Sequence, residues 1–307
     1  MTAVGVTRKF DPMRFLTDFK RTSDAIGASY SEPSILETLN TFKSCFQNSI
    51  VIWRTTNREN DPLNYRFFLQ QRLNTVEIAI KAGYIEPDNQ MGRLITSWSA
   101  LYNGESQQWC DFHPERGLVK TWVNLKRGRP VNDILNAPGV PYSVQCHGPT
   151  FRSLGLELVS FVAVDYESST MNIYFIAPGP ISETQAAQYT ALAQCKPPTR
   201  EEFQDMRSFL DHQGFTFAIT MDYETGAVTR VAFYALNLST DRLPAIGERL
   251  LILLEAAPSY DRQQTICLAW SFGLGDKKYM KAESSYVGDF TSLLSLGSPR
   301  YKTTPKL

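Results

Sequence analysis

Residues 157–176 read ELVSFVAVDYESSTMNIYFI and predict the clearest β-hairpin of the chain. Two runs rich in β-branched and aromatic residues, 157–165 and 170–176, flank the polar turn Glu167-Ser168-Ser169. In the second run polar and apolar residues alternate, and in a strand successive side chains point to opposite faces. The hairpin is therefore predicted to have one polar face and one apolar face.

The same pairing of strands recurs along the chain, with amphipathic helical segments between the pairs. Further predicted strands are 50–55 with 64–70, 107–112 with 117–125, 215–222 with 227–235 and 264–272 with 277–284. Predicted helices are 11–27, 33–47, 74–82, 90–102, 131–136, 141–153, 182–194, 199–212, 241–256 and 288–296. Because the strands come in adjacent pairs, a parallel Rossmann-type sheet is disfavoured. We predict an α+β fold of repeated helix–strand–strand–helix units, as one domain over residues 1–297 followed by a disordered tail over 298–307.

The composition of the chain argues against several classes of function. Its 307 residues include 31 Lys+Arg and 31 Asp+Glu, so no net charge favours nucleic acid or an anionic membrane as a partner. The five cysteines are widely spaced and form no C-x-x-C pair, which disfavours a disulfide framework and a zinc site. No segment approaches the ~20 apolar residues of a membrane helix. We predict a cytoplasmic monomer that binds neither nucleic acid nor membranes.

The polar faces of the predicted strands carry cations, and two arrangements of the sheet would explain them. An antiparallel sheet often has its polar face in water and its apolar face on helices. These faces, however, repeat a cation with Tyr, Trp or Asn and carry few acids, and the helices can cover the apolar side all round. An enclosed polar face would need an anion, and a diphosphate matches such donors. The cations are Arg54, Arg66, Lys120, Arg230 and Lys281, with Asn172, Tyr174 and Tyr234 as neutral donors.

Short segments spread over the chain resemble one known family. They are WRTT (53–56), YRFF (65–68), VKTW (119–122), AVDY (163–166), NIYF (172–175), TGAVTR (225–230), FYAL (233–236), WSFG (270–273), KAE (281–283) and SY (285–286). With these segments the sequence resembles the metal-independent branch of the aromatic prenyltransferases of the ABBA, or PT-barrel, superfamily. It is most similar to the dimethylallyltransferases that act on ring A of aminocoumarin antibiotics.

The resemblance implies a barrel of roughly ten antiparallel strands ringed by helices, with both substrates inside. The substrates would be dimethylallyl diphosphate and a small aromatic acceptor, with no cofactor. An aspartate that helps to hold magnesium in metal-requiring relatives is replaced here by Arg66, so no metal is expected. The implied diphosphate ligands are Arg54, Arg66, Lys120, Asn172, Tyr174, Arg230, Tyr234 and Lys281.

The resemblance also supplies a catalytic candidate, Glu283, which would contact the hydroxyl group or ring of the acceptor. The alternative for Glu283 is an ion pair with Lys281 or Lys278. No P-loop, H-E-x-x-H, G-x-S-x-G or D-D-x-x-D motif offers a competing chemistry. A non-catalytic barrel that binds a small aromatic or phosphorylated ligand remains the alternative function.

The acceptor and the allyl group would share an aromatic pocket. We expect Phe68, Trp122 and Phe217 to shield an allyl cation by cation–π contact and to exclude water, with ordinary core packing as the alternative for each. Ser160 stands where relatives carry an arginine proposed to hold a substrate carboxylate. A neutral phenol or a dihydroxynaphthalene-like acceptor is therefore expected. The predicted pocket residues are Phe68, Trp122, Ser160, Thr216, Phe217 and Ser285.

Overall fold

Ten antiparallel strands close into a barrel in the computed structural model, which describes residues 10–260 and 264–288. The strands are β1 (Ser49–Thr56), β2 (Asn64–Leu69), β3 (Gln107–His113), β4 (Gly117–Pro130), β5 (Leu158–Asp165), β6 (Thr170–Pro178), β7 (Gly214–Asp222), β8 (Val228–Leu238), β9 (Ile266–Gly273) and β10 (Lys277–Val287). Each strand pairs with its neighbours in the chain, and β1 pairs with β10 to complete the ring. The predicted α+β fold with a closed antiparallel barrel is confirmed.

Helices lie between the strand pairs and cover the outside of the barrel. In the described part of the chain they are α1 (Pro12–Ala25), α2 (Glu32–Thr41), α3 (Lys43–Gln47), α4 (Thr75–Lys81), α5 (Gln90–Ala100), α6 (Val131–Leu135), α7 (Tyr142–Gln145), α8 (Gly148–Ser153), α9 (Glu183–Ala191), α10 (Arg200–Phe209) and α11 (Glu248–Ala256), with a 3-10 helix at Leu101–Gly104. None of these helices is long and apolar enough to cross a membrane.

Three predicted helices differ most from the structure, because they are divided or begin later than predicted. The segment 33–47 is interrupted at Phe42, which caps α2 and precedes α3. The segment 141–153 contains α7 and α8, and Pro149 lies in the first turn of α8, where its missing N–H is tolerated. The segment 241–256 becomes helical only at α11. Gly247, which directly precedes α11, has a φ of 81°, a non-helical conformation that glycine adopts readily. The predicted helix over 288–296, beyond Gly288, and the predicted tail over 298–307 lie outside the described residues.

The outer face of the barrel is apolar and packs on the helices. The ring of Phe15 in α1 lies 5.4 Å from that of Tyr65 in β2 and 5.8 Å from that of Trp53 in β1, measured between centroids. On the opposite side Tyr189 of α9 stacks on Phe217 of β7 at 4.3 Å. Aromatic side chains bury a large apolar area each, so this layer is the main core of the protein.

The polar face of the strands is enclosed. The charged residues Arg66, Lys120 and Glu283 are only 3%, 5% and 4% exposed. A sheet with its polar face in water would leave such charges open to solvent. The closed barrel therefore decides between the two arrangements that the sequence left open.

Candidate active site

Two cavities lie in the lumen formed by the described residues, and Tyr174 and Tyr234 line both of them. The first has a volume of about 210 Å³ and is called the polar cavity; the second, of about 50 Å³, is called the aromatic cavity. The polar cavity is lined among others by Arg54, Lys120, Thr220, Arg230, Tyr279 and Lys281. The aromatic cavity is lined among others by Arg66, Phe68, Trp109, Trp122, Thr216 and Glu283.

Charges of alternating sign cross four neighbouring strands. Arg66 in β2 lies opposite Asp111 in β3, Asp111 opposite Lys120 in β4, and Lys120 opposite Asp165 in β5. Directly opposed side chains on neighbouring strands are close enough to interact, and opposite charges there stabilise the pairing. This row explains how several cations can be buried in one lumen. Two of its members are the acids Asp111 and Asp165, whereas the sequence predicted few acids on these faces.

Lys120 is the cation of this row that lines the polar cavity. Its Nζ lies 3.7 Å from Asp165 Oδ2. Burial lowers the pKa of the Lys120 ammonium to about 7, because the loss of hydration outweighs the attraction of Asp165 and because Arg54 and Arg230 are near. Asp165, the last residue of β5, also lines the polar cavity. An anion in the polar cavity would restore the charge of Lys120.

Arg230 belongs to a hydrogen-bond network on the far wall of the polar cavity. Its Nη1 donates to Tyr279 Oη at 2.6 Å and its Nη2 donates to Thr220 Oγ1 at 2.9 Å. Thr220 Oγ1 in turn donates to Asn172 Oδ1 at 2.8 Å. The amide nitrogen Nδ2 of Asn172 is buried and has no hydrogen-bond partner among the described residues, and the same holds for Nε of Arg54. Buried donors without partners are rare in native proteins, and Arg54 lines the polar cavity, so its Nε indicates a place for an acceptor atom there. Asn172, a predicted diphosphate ligand, lines neither cavity and is joined to the polar one through its hydrogen bond with Thr220.

Tyr279 is a cavity residue that the sequence analysis missed. The Arg58 guanidinium lies over its ring, 4.2 Å from Cζ to the centroid, in addition to the hydrogen bond from Arg230. Burial alone would raise the pKa of the Tyr279 phenol, but Arg230 and Arg58 outweigh it and the pKa is lowered. The signal was present, since Tyr279 has the same parity in its strand as Lys281 and Glu283.

Lys281 lines the polar cavity, Glu283 lines the aromatic cavity, and the two side chains form an ion pair. Lys281 Nζ donates to Tyr234 Oη at 2.7 Å and lies 2.8 Å from Glu283 Oε1, while Arg66 Nη1 donates to Glu283 Oε2 at 3.2 Å. Burial would raise the pKa of Glu283, but Arg66 and Lys281 outweigh it and lower the pKa to about 2. Glu283 is thus a carboxylate at neutral pH. Glu283 forms the ion pair with Lys281 that was the alternative for this residue, and it also lines the aromatic cavity. Its contact with an acceptor stays a prediction.

Arg66 does not line the polar cavity, where the sequence analysis expected it to bind a diphosphate. Its guanidinium donates to both oxygens of Asp111 and to Glu283, and it faces the aromatic cavity. Two carboxylates already compensate its charge. The structure thus gives Arg66 a different set of partners, because the neighbouring strand supplies an acid directly opposite to it.

Asp111 is the second residue that the sequence analysis missed. It is fully buried, and besides Arg66 it accepts a hydrogen bond from Trp122 Nε1 at 3.1 Å and lies 3.4 Å from Arg54 Nη1. Burial would raise its pKa, but Arg66 and Arg54 lower it further than burial raises it. The sequence contained a signal for Asp111, because in the predicted strand 107–112 it stands between Cys110 and the apolar Phe112 and therefore lies on the other face of the strand.

The walls of the aromatic cavity are rings that pack on one another. Phe68 meets Trp109 edge to face at 4.6 Å, and Trp122 lies 4.5 Å from Tyr174 between centroids. Thr216 Oγ1 is buried here without a hydrogen-bond partner among the described residues. The structure thus brings Phe68, Trp122 and Thr216 together, as the sequence analysis expected, beside Glu283.

Three predicted pocket residues line neither cavity. Phe217 lies on the outer face of β7, because its neighbour Thr216 takes the inward position and successive side chains alternate. Ser160 lies at a bulge in β5, and its Oγ donates to the carbonyl oxygen of Tyr174 at 3.2 Å. Ser285 Oγ accepts from the backbone N–H of Thr265 near the end of β10. These placements correct the predictions for Phe217, Ser160 and Ser285.

Comparison with known proteins places this chain in a family. A family model described as aromatic prenyltransferase Orf2 matches residues 10–296. An aromatic prenyltransferase from Arthroderma otae is 54% identical over 287 residues, which cover 92% of this chain and 91% of the relative. A 4-hydroxyphenylpyruvate 3-dimethylallyltransferase from Streptomyces niveus is 38% identical over 297 residues, which cover 96% of this chain and 91% of that protein.

A solved structure supports the fold. The crystal structure of NotF in complex with brevianamide F and DMSPP matches with a TM-score of 0.55, over 93% of this chain and 97% of the NotF chain. The sequence identity is 11%, so this likeness concerns the barrel and its helices only.

Proposed function

The chain belongs to the aromatic prenyltransferase Orf2 family and is an aromatic prenyltransferase, and we propose that it transfers a dimethylallyl group from dimethylallyl diphosphate to a ring carbon of a small phenol. One observation carries this proposal. A cavity lined by cations adjoins a cavity lined by aromatic rings, and Tyr174 and Tyr234 belong to both. A donor that combines a diphosphate with a short allyl chain fits this division of charge.

The polar cavity would hold the diphosphate. Arg54, Lys120, Arg230 and Lys281 line it. Asn172 does not line it but accepts a hydrogen bond from Thr220, which does, and its buried amide nitrogen has no partner among the described residues. As the C–O bond of the donor breaks, the electron pair stays with the leaving diphosphate. Preset cationic donors in a lumen with little water stabilise that developing charge strongly. The same cations support the proposal that no metal ion is needed. Asp111 is a buried carboxylate near them, but Arg66 already binds both of its oxygens in place of a metal ion.

The aromatic cavity would hold the allyl group and the ring that attacks it. Phe68 and Trp122 line this cavity, and their rings would stabilise a cation-like allyl group and exclude water that would otherwise trap it. The ring carbon of the phenol forms the new C–C bond as the C–O bond breaks. Glu283 would accept the hydrogen bond of the phenol hydroxyl and then its proton, which gives a dienone. A carboxylate of low pKa suffices for this step, because the alkylated ring is cationic and its hydroxyl is strongly acidic. The hydrogen on the alkylated carbon then leaves as a proton and the oxygen takes a proton back, so that the aromatic ring is restored.

The acceptor is proposed to be neutral. Within the aromatic cavity the one cation among the lining residues, Arg66, already has Asp111 and Glu283 as partners. An acceptor carboxylate buried there would lack a free counter-charge and would face Glu283, at a cost of several kcal/mol for an unpaired buried ion, about 3–5 kcal/mol. Thr216, whose hydroxyl lacks a partner among the described residues, suits a phenol hydroxyl instead.

The deciding experiment is a product assay. The protein is incubated with dimethylallyl diphosphate and a panel of phenols, dihydroxynaphthalenes and aromatic acids, and products are sought by mass spectrometry as a gain of one prenyl unit. We expect prenylated products, with kcat/KM higher for neutral phenols than for 4-hydroxyphenylpyruvate. Tight binding of donor and phenol without any product would favour the non-catalytic barrel. A tenfold preference for the acid would overturn the neutral acceptor and leave the prenyl transfer standing.

The setting of the enzyme is proposed to be cytoplasmic, and its state monomeric. Cys45, Cys110, Cys195 and Cys267 are buried free thiols and Cys146 is an exposed one, which suits a reducing compartment. Light scattering on the purified protein tests the monomer, and fractionation of the source cells tests the compartment.

A further inference from the structure

We propose that Asp111 is a positioning residue that acts through Trp122, by holding the indole in the wall of the aromatic cavity and by making its ring a better partner for the allyl cation. This inference rests on the proposed prenyl transfer. It concerns a buried carboxylate that lines neither cavity and that no motif pointed to.

The contact itself is specific. Trp122 Nε1 donates to Asp111 Oδ1 at 3.1 Å, between neighbouring strands β3 and β4. Asp111 cannot turn away from it, because Arg66 binds both of its oxygens and Arg54 approaches Oδ2 at 3.4 Å. The carboxylate therefore fixes the edge of the indole, and with it the orientation of the ring that lines the cavity. Groups whose rotamers are locked in this way keep a site in its productive geometry.

The charge of Asp111 has a second effect on the same ring. The Arg66 guanidinium lies over the indole of Trp122, with Cζ 4.2 Å from the ring centroid. An uncompensated cation there would draw electron density from the ring and repel an allyl cation beside it. Asp111 compensates Arg66 and also withdraws the N–H proton toward itself, which leaves the indole richer in electrons. Attraction of a cation to a ring depends on that electron density.

The sharpest test removes only the N–H of Trp122. Replacement of Trp122 by β-(3-benzothienyl)alanine, in which sulfur replaces the N–H, keeps the ring size and leaves Asp111, Arg66 and Glu283 intact. We expect kcat to fall about tenfold, with the KM for the donor changed by less than about twofold, since the diphosphate lies in the other cavity. The matched control places the same analogue at Trp53, whose buried Nε1 has no hydrogen-bond partner among the described residues and which packs outside the barrel. That control should keep the kcat of the wild type.

A double-mutant cycle tests the coupling of the two residues. Asp111→Asn should reduce kcat in the wild type and have little further effect in Trp122→Phe. Ultraviolet resonance Raman difference spectra between the wild type and Trp122→Phe should show the strongly hydrogen-bonded N–H of Trp122, and Asp111→Asn should weaken it. If Asp111→Asn does not fold, the analogue at Trp122 decides alone.

The outcomes separate this inference from the proposed function. An active wild type together with an unchanged kcat for the Trp122 analogue overturns the role of Asp111 and leaves prenyl transfer intact. A wild type without product on any acceptor overturns both. A loss of kcat confined to the Trp122 analogue supports the inference.

Discussion

Single side chains in the lumen have ionisation states that depend on their neighbours. Lys120 is buried and its pKa falls to about 7, whereas Glu283 is equally buried and its pKa falls to about 2. The difference arises because Glu283 has Arg66 and Lys281 at ion-pair distance, while Lys120 has one acid at 3.7 Å and two arginines nearby. The ion pairs of Glu283 are thus complete, whereas Lys120 can still gain a proton when an anion binds beside it.

The state of Lys120 predicts that binding of the donor takes up a proton. At pH 8 a group with a pKa of about 7 is roughly nine-tenths neutral, and a bound diphosphate would return it to the ammonium form. We expect an uptake approaching one proton at pH 8 and much less at pH 6. Calorimetry of an unreactive thiolodiphosphate analogue, in buffers of different ionisation enthalpy, measures it. Lys120→Met is the control, and an equal uptake in that variant would contradict the prediction.

The carboxylate of Glu283 predicts a loss of turnover in Glu283→Gln. The amide keeps the shape but cannot take the phenol proton, so kcat should fall by roughly 10²-fold while the donor still binds. Steady-state kinetics with the donor and the acceptor varied in turn separate the two effects. Glu202→Gln, which removes the surface partner of Lys278, is the matched control. Unchanged turnover in Glu283→Gln would contradict its role as a base and would limit the carboxylate to its ion pairs.

At the scale of elements, the turn between β1 and β2 carries part of the cavity mouth and is held from outside the barrel. Arg249 of α11 donates through Nη1 to Thr55 Oγ1 at 2.8 Å and also bonds the carbonyl oxygens of Thr56 and Asp61. Asp61 pairs with Arg58, whose guanidinium covers Tyr279. The helix and the hairpin are thus joined by one side chain, which orders this edge of the polar cavity.

We therefore predict that Arg249→Ala loosens the hairpin. Loss of several hydrogen bonds to backbone carbonyls should lower the free energy of unfolding by about 2 kcal/mol. The KM for the donor should rise as well, with kcat at saturation less affected. Urea unfolding and donor kinetics measure the two effects. Arg207→Ala, an exposed arginine on α10, should change neither. Equal stability of the Arg249 and Arg207 variants would contradict the prediction.

For the molecule as a whole, closure of the barrel turns a polar sheet face into an enclosed site. One cavity is lined by several basic residues, although Lys+Arg and Asp+Glu are equal in number in the whole chain. These residues include Arg54, Lys120, Arg230 and Lys281. Low local polarity strengthens each contact with an anion. The cations can thereby supply the charge that a magnesium ion would bring to a diphosphate.

This predicts that prenyl transfer proceeds in excess EDTA. Rates with and without the chelator should agree within about twofold, since protein donors, not a metal, stabilise the leaving group. The product assay is repeated after dialysis against EDTA, with added Mg²⁺ as the comparison. Loss of nearly all turnover under chelation, restored by Mg²⁺, would contradict the prediction and the proposed role of these cations.

The sequence by itself determined the strands, their pairing and which residues share a face, because the two-residue period of a strand is a local property. The matched segments of the family then pointed to prenyl transfer. Parity alone could place Phe68, Trp122, Arg230 and Lys281 on the cation-bearing faces of their strands.

Only the tertiary structure decided what each inward residue meets across the lumen. The pairing of Arg66 with Asp111 depends on the register between β2 and β3, and the ion pair of Arg66 with Glu283 joins residues 217 positions apart in the chain. Ser160 has the opposite parity to Phe161 and Asp165, which line the cavities, and only the closed barrel decided which face of β5 points inward. Faces follow from local alternation, whereas partners follow from register and closure, and these are properties of the assembled barrel.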